Sequence, residues 1–267
     1  VENSGAVSVY ADRFFAEVYD HIVPYRERQA DVTFYVDLAR EAGGAVLELG
    51  CGTGRVLIPT ARAGVEIVGL DGAGPMLLLC RAKLEAEPEA TRARASLVEG
   101  DMRGFDLGRT FALVTCPFRP FQHLLTVDEQ LECLAAVRQH LAPGGRFAVD
   151  LFDPDLGHLT GELGRESAPE PAFDLPDGRS VVRRHRIVAR DLSAQWQDVE
   201  LIHDVRHPDG REERLVHAFR MRHSFRFEVE HLLARAGFVL EAGYSDFERN
   251  PLGTRGGREL IFVARRD

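Results

Sequence analysis

The sequence predicts an α/β fold: a doubly wound, mostly parallel sheet of seven strands, with a small antiparallel sheet inserted late in the chain. Three observations predict it. Between residues 45 and 152, short β-branched apolar runs alternate with longer helical patterns, as in a sheet wrapped by helices. A glycine-rich turn, Gly50-Cys51-Gly52-Thr53-Gly54, joins the first of these strands to a helix. From residue 180 to 227 the hydrophobic period falls to two, the period of half-buried antiparallel strands.

Five strands are read in the first half, over residues 45–49, 65–71, 96–99, 111–116 and 146–152. Helical patterns occupy 55–63, 74–86 and 127–141. The last is well punctuated, because Thr126 followed by Glu129 forms a capping box and Pro143-Gly144-Gly145 ends it. Residues 161–178 are rich in Pro, Gly and acids without a sustained period and read as a loop. Beyond them, Leu215, His217, Phe219, Met221, His223 and Phe225 alternate with a face that carries Arg220, Arg222 and Arg226. Pro176-Asp177-Gly178 and Pro208-Asp209-Gly210 suit hairpin turns. The parent pattern then resumes with a helix at 229–236, Gly237 as its C-cap, and strands at 238–244 and 259–264.

Composition bounds the function. The chain has 33 Lys plus Arg against 42 Asp plus Glu, a formal charge of −9, and no basic run, which argues against a nucleic-acid partner. A hydrophobic share of 45% with 28% charged residues suits a folded domain rather than a disordered chain. No apolar run approaches the roughly 20 residues that span a bilayer, and the opening VENSGAVSVY lacks a signal-peptide pattern, so a cytoplasmic protein without a membrane partner is expected. Cys51, Cys80, Cys116 and Cys133 never form C-x-x-C and are expected as free thiols. Lys83 is the sole lysine, every other basic residue outside histidine being arginine.

The segment Glu48-Leu49-Gly50-Cys51-Gly52-Thr53-Gly54-Arg55 points to a ligand. Its glycines allow positive φ and close backbone approach, and the helix that follows presents free N–H groups. A dinucleotide fingerprint would need glycine where Arg55 stands, and no G-K-[ST] follows for a phosphate loop. The second strand ends in Asp71, 17 residues past Gly54, where an acid can accept from ribose hydroxyls. Pro75-Met76-Leu77 and Glu99-Gly100-Asp101-Met102-Arg103 follow at the next strand ends.

These motifs resemble the class I S-adenosylmethionine-dependent methyltransferases, a Rossmann-like fold whose last strand is antiparallel, and the resemblance spans nearly the whole chain. It implies that S-adenosyl-L-methionine is the cofactor. Glu48 would face its ammonium, with Gly50, Cys51, Gly52 and Gly54 beneath the methionine and ribose. Asp71 and Gly72 would serve the ribose, and Met76, Asp101 and Met102 the adenine. Within the family, Gly100-Asp101-Met102-Arg103 and the inserted sheet look like small-molecule N-methyltransferases of the glycine and amino-sugar types. In those relatives an arginine three residues before an acid covers the cofactor carboxylate, which makes Arg28, ahead of Asp31, the candidate here. The resemblance divides the chain into an N-terminal helical lid (1–40), a cofactor domain (41–155), the inserted sheet with an acceptor-side loop (156–226) and a closing helix with two strands (227–267).

Methyl transfer is an in-line displacement that needs positioning and exclusion of water more than a nucleophilic side chain. The candidates lie in Cys116-Pro117-Phe118-Arg119-Pro120-Phe121-Gln122-His123-Leu124 after the fourth strand. Cys116 would face the cofactor. His123 matches a histidine or tyrosine of the amino-sugar enzymes, and an ordinary imidazole suits deprotonation of an amine or hydroxyl. Arg119 departs from the small polar residue of those relatives and suits an anionic or carbonyl acceptor group. Tyr19 would belong to a lid over the methyl group. His203, His217 and His223 read as core or pocket lining, with no carboxylate or cysteine pattern nearby to suggest a metal. The expected partner is a small-molecule acceptor, and the edges of the inserted sheet offer a surface for a homodimer. A non-catalytic cofactor-binding subunit is the alternative.

Overall fold

An N-terminal 3-10 turn (Val9–Ala11) and helices α1 (Arg13–Tyr19), α2 (Val23–Glu27) and α3 (Ala30–Ala42) lead into the alternating half of the chain. That half runs β1 (Val46–Leu49), α4 (Leu57–Arg62), β2 (Ile67–Asp71), α5 (Gly74–Glu85), α6 (Glu89–Arg92), β3 (Ala95–Glu99), β4 (Phe111–Cys116), a 3-10 turn (Pro120–His123), α7 (Val127–His140) and β5 (Leu141–Phe152). Then come α8 (Leu156–Thr160), β6 (Phe173–Asp174), β7 (Ser180–Asp191), β8 (Trp196–Arg206) and β9 (Glu212–Arg222), before α9 (Arg226–Arg235), β10 (Phe238–Tyr244) and β11 (Glu259–Arg266) close the fold. This computed structural model describes residues 9–254 and 258–267. The first eight residues, read above for a signal peptide and as the start of the lid, lie outside the described residues.

The main sheet has the strand order β10-β11-β5-β4-β1-β2-β3, all parallel except β11, which runs antiparallel to both neighbours. The order reverses between β1 and β4, so the connections leaving their C-terminal ends diverge and open a crevice there. Apolar residues fill both faces. Tyr35, Leu38, Leu57 and Cys80 from α3, α4 and α5 cover one, and Leu134, Val137, Leu232 and Leu233 from α7 and α9 cover the other. Among the described residues no helix is long and apolar enough to cross a membrane.

Local signals explain several boundaries. Thr126 Oγ1 accepts from the Glu129 N–H at 3.2 Å while a Glu129 carboxylate oxygen accepts from the Thr126 N–H at 3.0 Å, fixing the start of α7. Thr126→Ala should therefore lower unfolding stability by about 1 kcal/mol; urea denaturation checks this, and an unchanged midpoint would show that the box contributes nothing. The C-cap of α9 is Ala236, and Gly237, one residue beyond it, adopts φ +81°, the left-handed conformation that ends a helix.

The inserted sheet, ordered β6-β7-β8-β9, is antiparallel throughout. Its outer face is laced with ion pairs, among them Arg186 with Glu200 and Arg220 with Asp198. The other face turns inward, where Val199 and Leu201 pack with Val9, Phe15, Ala73 and Met76. The insert therefore closes over the ligand end of the main sheet together with the N-terminal helices. Gln122 couples the two sheets, its Nε2 donating to the Arg222 carbonyl at 2.8 Å and its Oε1 accepting from the Phe152 N–H at 2.9 Å.

Three features depart from the sequence reading. The stretch 161–178 is not all loop, because Phe173–Asp174 pairs with β7 and buries Phe173 beside Val18 and Ile22. Helix α4 begins at Leu57 rather than residue 55, since consecutive turns occupy 52–56. Strand β9 ends at Arg222, so His223 and Phe225 leave the alternation. Helix α3, within the stretch read as lid, puts Tyr35, Leu38 and Ala39 in the main core, while α1 and α2 pack toward the inserted sheet.

Candidate active site

At the switch point the β1–α4 turn has Gly50, Gly52 and Gly54 at φ +65°, +53° and +85°. A side chain on Gly50 would meet Pro120 at 2.5 Å and one on Gly54 would meet Cys80 Sγ at 2.6 Å, whereas one on Gly52 would meet nothing within 4 Å. The turn is thus closed below and open above Gly52. Glu48, on β1, is buried, and its Oε2 has no hydrogen-bond partner. Burial pushes this carboxyl well above its usual range, against the opposing pull of Arg55. Asp71, the last residue of β2, accepts from the Gly52 N–H at 2.7 Å and from the Ala73 N–H at 2.8 Å, tying the two strand ends together.

The lid is latched to this turn. The Thr53 hydroxyl donates to Asp20 Oδ1 at 2.6 Å, and Lys83 Nζ donates to Asp20 Oδ2 at 2.7 Å. The single lysine thus holds the end of α1 against α5.

Beyond β4 the backbone makes a strained turn. Phe118 and Arg119 both adopt positive φ, 65° and 72°, which costs a non-glycine residue about 1–2 kcal/mol each. The surroundings enforce it. Asp150 Oδ1 accepts from the Phe118 N–H at 2.8 Å and from the Tyr35 hydroxyl at 2.7 Å. Arg119 Nη2 donates to both oxygens of Glu259, at 2.7 and 2.9 Å. The guanidinium of Arg55 lies 4.8 Å from the Phe118 ring centroid, and that of Arg28 lies 5.6 Å from it. Burial pushes the Asp150 carboxyl up to about 6 despite the opposing charge of Arg119, and its Oδ2 has no partner.

Several predicted site residues converge here. Cys116 is fully buried at the end of β4, and burial raises its thiol pKa. Tyr19 lies in an aromatic wall, its ring centroid 5.2 Å from that of Tyr25. His123 Nε2 is 3.2 Å from the Tyr10 hydroxyl, and its ring is 5.4 Å from that of Phe219 in β9. Burial lowers the His123 pKa to about 4, partly offset by a hydrogen bond with the Arg220 backbone. Gly72 lies beside the Gly100 carbonyl, 3.5 Å from where its Cβ would be.

Others are differently engaged. Arg28 donates to Glu259 at 2.7 Å and sits only 3.8 Å from Asp31, whereas Arg55 takes both Asp31 oxygens. The residue that excluded a dinucleotide fingerprint is therefore the guanidinium beside the glycine turn. Asp101 is exposed and held by Arg103 Nε at 2.9 Å. Met76 is 1% exposed and packed in the cluster that joins lid, α5 and insert, and Met102 packs against the α7 side of the core. His217 has a carboxylate near it after all, Asp12 at 3.3 Å, contributed by the lid. Sequence reasoning missed Arg55, Asp150, Glu259, Tyr10 and Asp20; all but Arg55, the motif's own last residue, act through contacts remote along the chain.

The Methyltransferase domain family matches residues 46–145, which run from β1 into the start of β5. The structure superposes on the CcbJ methyltransferase from Streptomyces caelestis with a TM-score of 0.78 at 28% identity, covering 97% of this chain and 98% of that one. The chain carries a methyltransferase domain with the class I S-adenosylmethionine-dependent fold. The fold also superposes, with a TM-score of 0.69 at 28% identity over 94% of the chain and 97% of its counterpart, on CalS10, an amino pentose methyltransferase from Micromonospora echinaspora solved with its cofactor bound. A Streptomyces cypemycin N-terminal methyltransferase is 32% identical over 60% of this chain and 66% of its own length. A Streptomyces venezuelae dTDP-3-amino-3,4,6-trideoxy-alpha-D-glucopyranose N,N-dimethyltransferase is 32% identical over 51% of this chain and 56% of its own. The matches thus span between half and two thirds of these curated relatives.

The residues of this methyltransferase fit the family's cofactor on three counts. The orphaned Glu48 oxygen lacks only a cationic donor, Gly52 leaves its upper side clear, and Asp71 retains acceptor capacity beside its two backbone donors.

Proposed function

We propose that the chain moves a methyl group from S-adenosyl-L-methionine to an amine of a small-molecule acceptor by in-line displacement. The observation that carries this reading is the buried, unpartnered Glu48 oxygen at the foot of an open glycine turn, at the end of the sheet over which the lid and the inserted sheet pack. The N-methyltransferases among its relatives support an amine over a hydroxyl. When bound, the cofactor supplies a sulfonium-activated methyl. Glu48 would hold its ammonium, Asp71 its ribose hydroxyls, and the turn from Gly50 to Gly54 its methionine and sugar. Cys116, Gly72 and Met102 line the same strand ends. Asp101 reaches the adenine only by leaving Arg103, and Met76 supports the wall from behind.

The acceptor side is bounded by Arg119, His123, Tyr10 and Tyr19. The chain's residues hold the acceptor amine and keep water out, which orients the displacement. A neutral His123, hydrogen-bonded to the Arg220 backbone, can accept from the Tyr10 hydroxyl through Nε2. We assign the pair to positioning, in place of the base role expected from an ordinary imidazole. With its pKa depressed to about 4, His123 is uncharged throughout pH 6–9 and gives no titration limb there. Accordingly, His123→Ala should lower kcat by about 10- to 100-fold while the kcat/KM profile keeps the wild-type limb, which belongs to the acceptor amine. A wild-type limb near pH 6.5 that disappears in the variant would restore the base assignment.

Paired acceptors that differ only in amine versus hydroxyl test the reaction itself. Mass spectrometry should find the methyl on the amine; transfer to the hydroxyl alone would overturn the proposal. We place the reaction in the cytoplasm, and the open edge of β9 is where a second copy would add. Light scattering decides that point.

A further inference from the structure

We propose that the inward face of the inserted sheet carries a built oxyanion site, centred on Arg190, that takes a carboxylate or phosphate group of the methyl acceptor. The inference rests on the acceptor reading above and names the class of molecule. Arg190 lies on β7 opposite Gln197 of β8, which in turn lies opposite Met221 of β9. All three face inward. Its Nη1 donates to the Gly161 carbonyl at 2.9 Å, which fixes the plane of the guanidinium. The Nε and Nη2 atoms are buried and have no partner, and among the described residues no carboxylate lies within 4 Å of the group. Nε and Nη2 form the edge of arginine that grips an oxyanion through two parallel N–H···O bonds. A buried guanidinium with that edge empty is costly unless a ligand completes it.

A second observation points to the same place. Gln197 and His223 are 6% and 4% exposed, and Gln197 Oε1 and His223 Nδ1 also lack partners. Gln197 Nε2 contacts His158 Nε2 at 3.4 Å, and the His158 ring packs 5.0 Å from that of Phe152. Burial lowers the His158 and His223 pKa values, with Arg190 contributing in the same direction. Both are therefore neutral, and Arg190 is the unpaired charge of the cluster.

The cluster is continuous with the reacting region. Arg119 stands over the Phe152 ring at 5.4 Å, Phe152 carries His158, and His158 meets Gln197. From the other side, His123 touches Phe219, which shares an inward face with Met221. Arg190 lies two strand spacings from Met221, about 10 Å. An acceptor engaged at both places would present its amine beside His123 and its anionic group at Arg190, which orients the molecule before transfer.

Calorimetry on the full chain tests this with inorganic pyrophosphate and with acetate as probes. One of them should bind saturably, and Arg190→Gln should weaken it by at least about tenfold, while Arg190→Lys, which keeps the charge but loses the fork, should fall between. Preference for pyrophosphate assigns a phosphoester, and preference for acetate a carboxylate. S-adenosylhomocysteine is titrated into each variant as a control for folding and for the cofactor reading. If cofactor binds and neither anion does, or if Arg190→Gln binds as the wild type, the oxyanion site is overturned. If the wild type fails to bind cofactor, the functional proposal fails instead.

Discussion

Asp71→Ala is expected to weaken S-adenosylhomocysteine binding by about 100-fold or more in calorimetry. Asp71 ends β2 with one oxygen on the Gly52 N–H and the other on the Ala73 N–H, at 2.7 and 2.8 Å. Each oxygen keeps acceptor capacity for a ribose hydroxyl. Alanine removes both sugar contacts and also frees the glycine turn, so the loss has a direct and a positioning part. Asp71→Asn keeps one acceptor oxygen and should fall between. Equal affinity in the alanine variant and the wild type would remove Asp71 from the cofactor site.

Glu259→Ala should lower unfolding stability by about 3 kcal/mol, which for a chain of this size is roughly 6–12 °C in Tm. One carboxylate, 10% exposed, joins Arg28 and Arg119, which donate to it at 2.7 Å each. Without it Arg119 loses its carboxylate, Arg28 keeps only the longer contact with Asp31 at 3.8 Å, and the left-handed turn at Phe118 and Arg119 loses one of its restraints. Arg119 Nε is already buried without a partner, so the guanidinium cannot rotate to full hydrogen bonding inside. Differential scanning calorimetry reads the effect; a loss below about 1 kcal/mol, the range of a surface pair, would show that the network is solvated and contributes little.

These two predictions differ in how far the sequence alone would have led to them. Asp71 was legible because β strands, glycine turns and strand-end acids are local patterns with fixed spacing. The same holds for the capping box at Thr126 and the hairpins at Pro176-Asp177-Gly178 and Pro208-Asp209-Gly210. Glu259 was read only as the start of a strand. Its partners lie 231 and 140 residues away, and no periodicity encodes such a contact. His123 shows the intermediate case: its place beside the site was readable, but the lid tyrosine against it and the burial that depresses its pKa were not. Arg28 is a further case, since its spacing from Asp31 is local but the carboxylate it donates to, Glu259, is remote. Short elements were lost too, because two residues of β6 carry too little pattern to register.

We propose above all that the ends of the first two strands hold S-adenosylmethionine beneath the lid and the inserted sheet. A crystal structure with S-adenosylhomocysteine tests it most directly. The account predicts the ligand's ammonium within hydrogen-bond reach of the Glu48 oxygen that now lacks a partner, its ribose hydroxyls on Asp71, and its sulfur facing the space bounded by Arg119 and His123. A ligand bound elsewhere, or one that leaves Glu48 and Asp71 untouched, would contradict it.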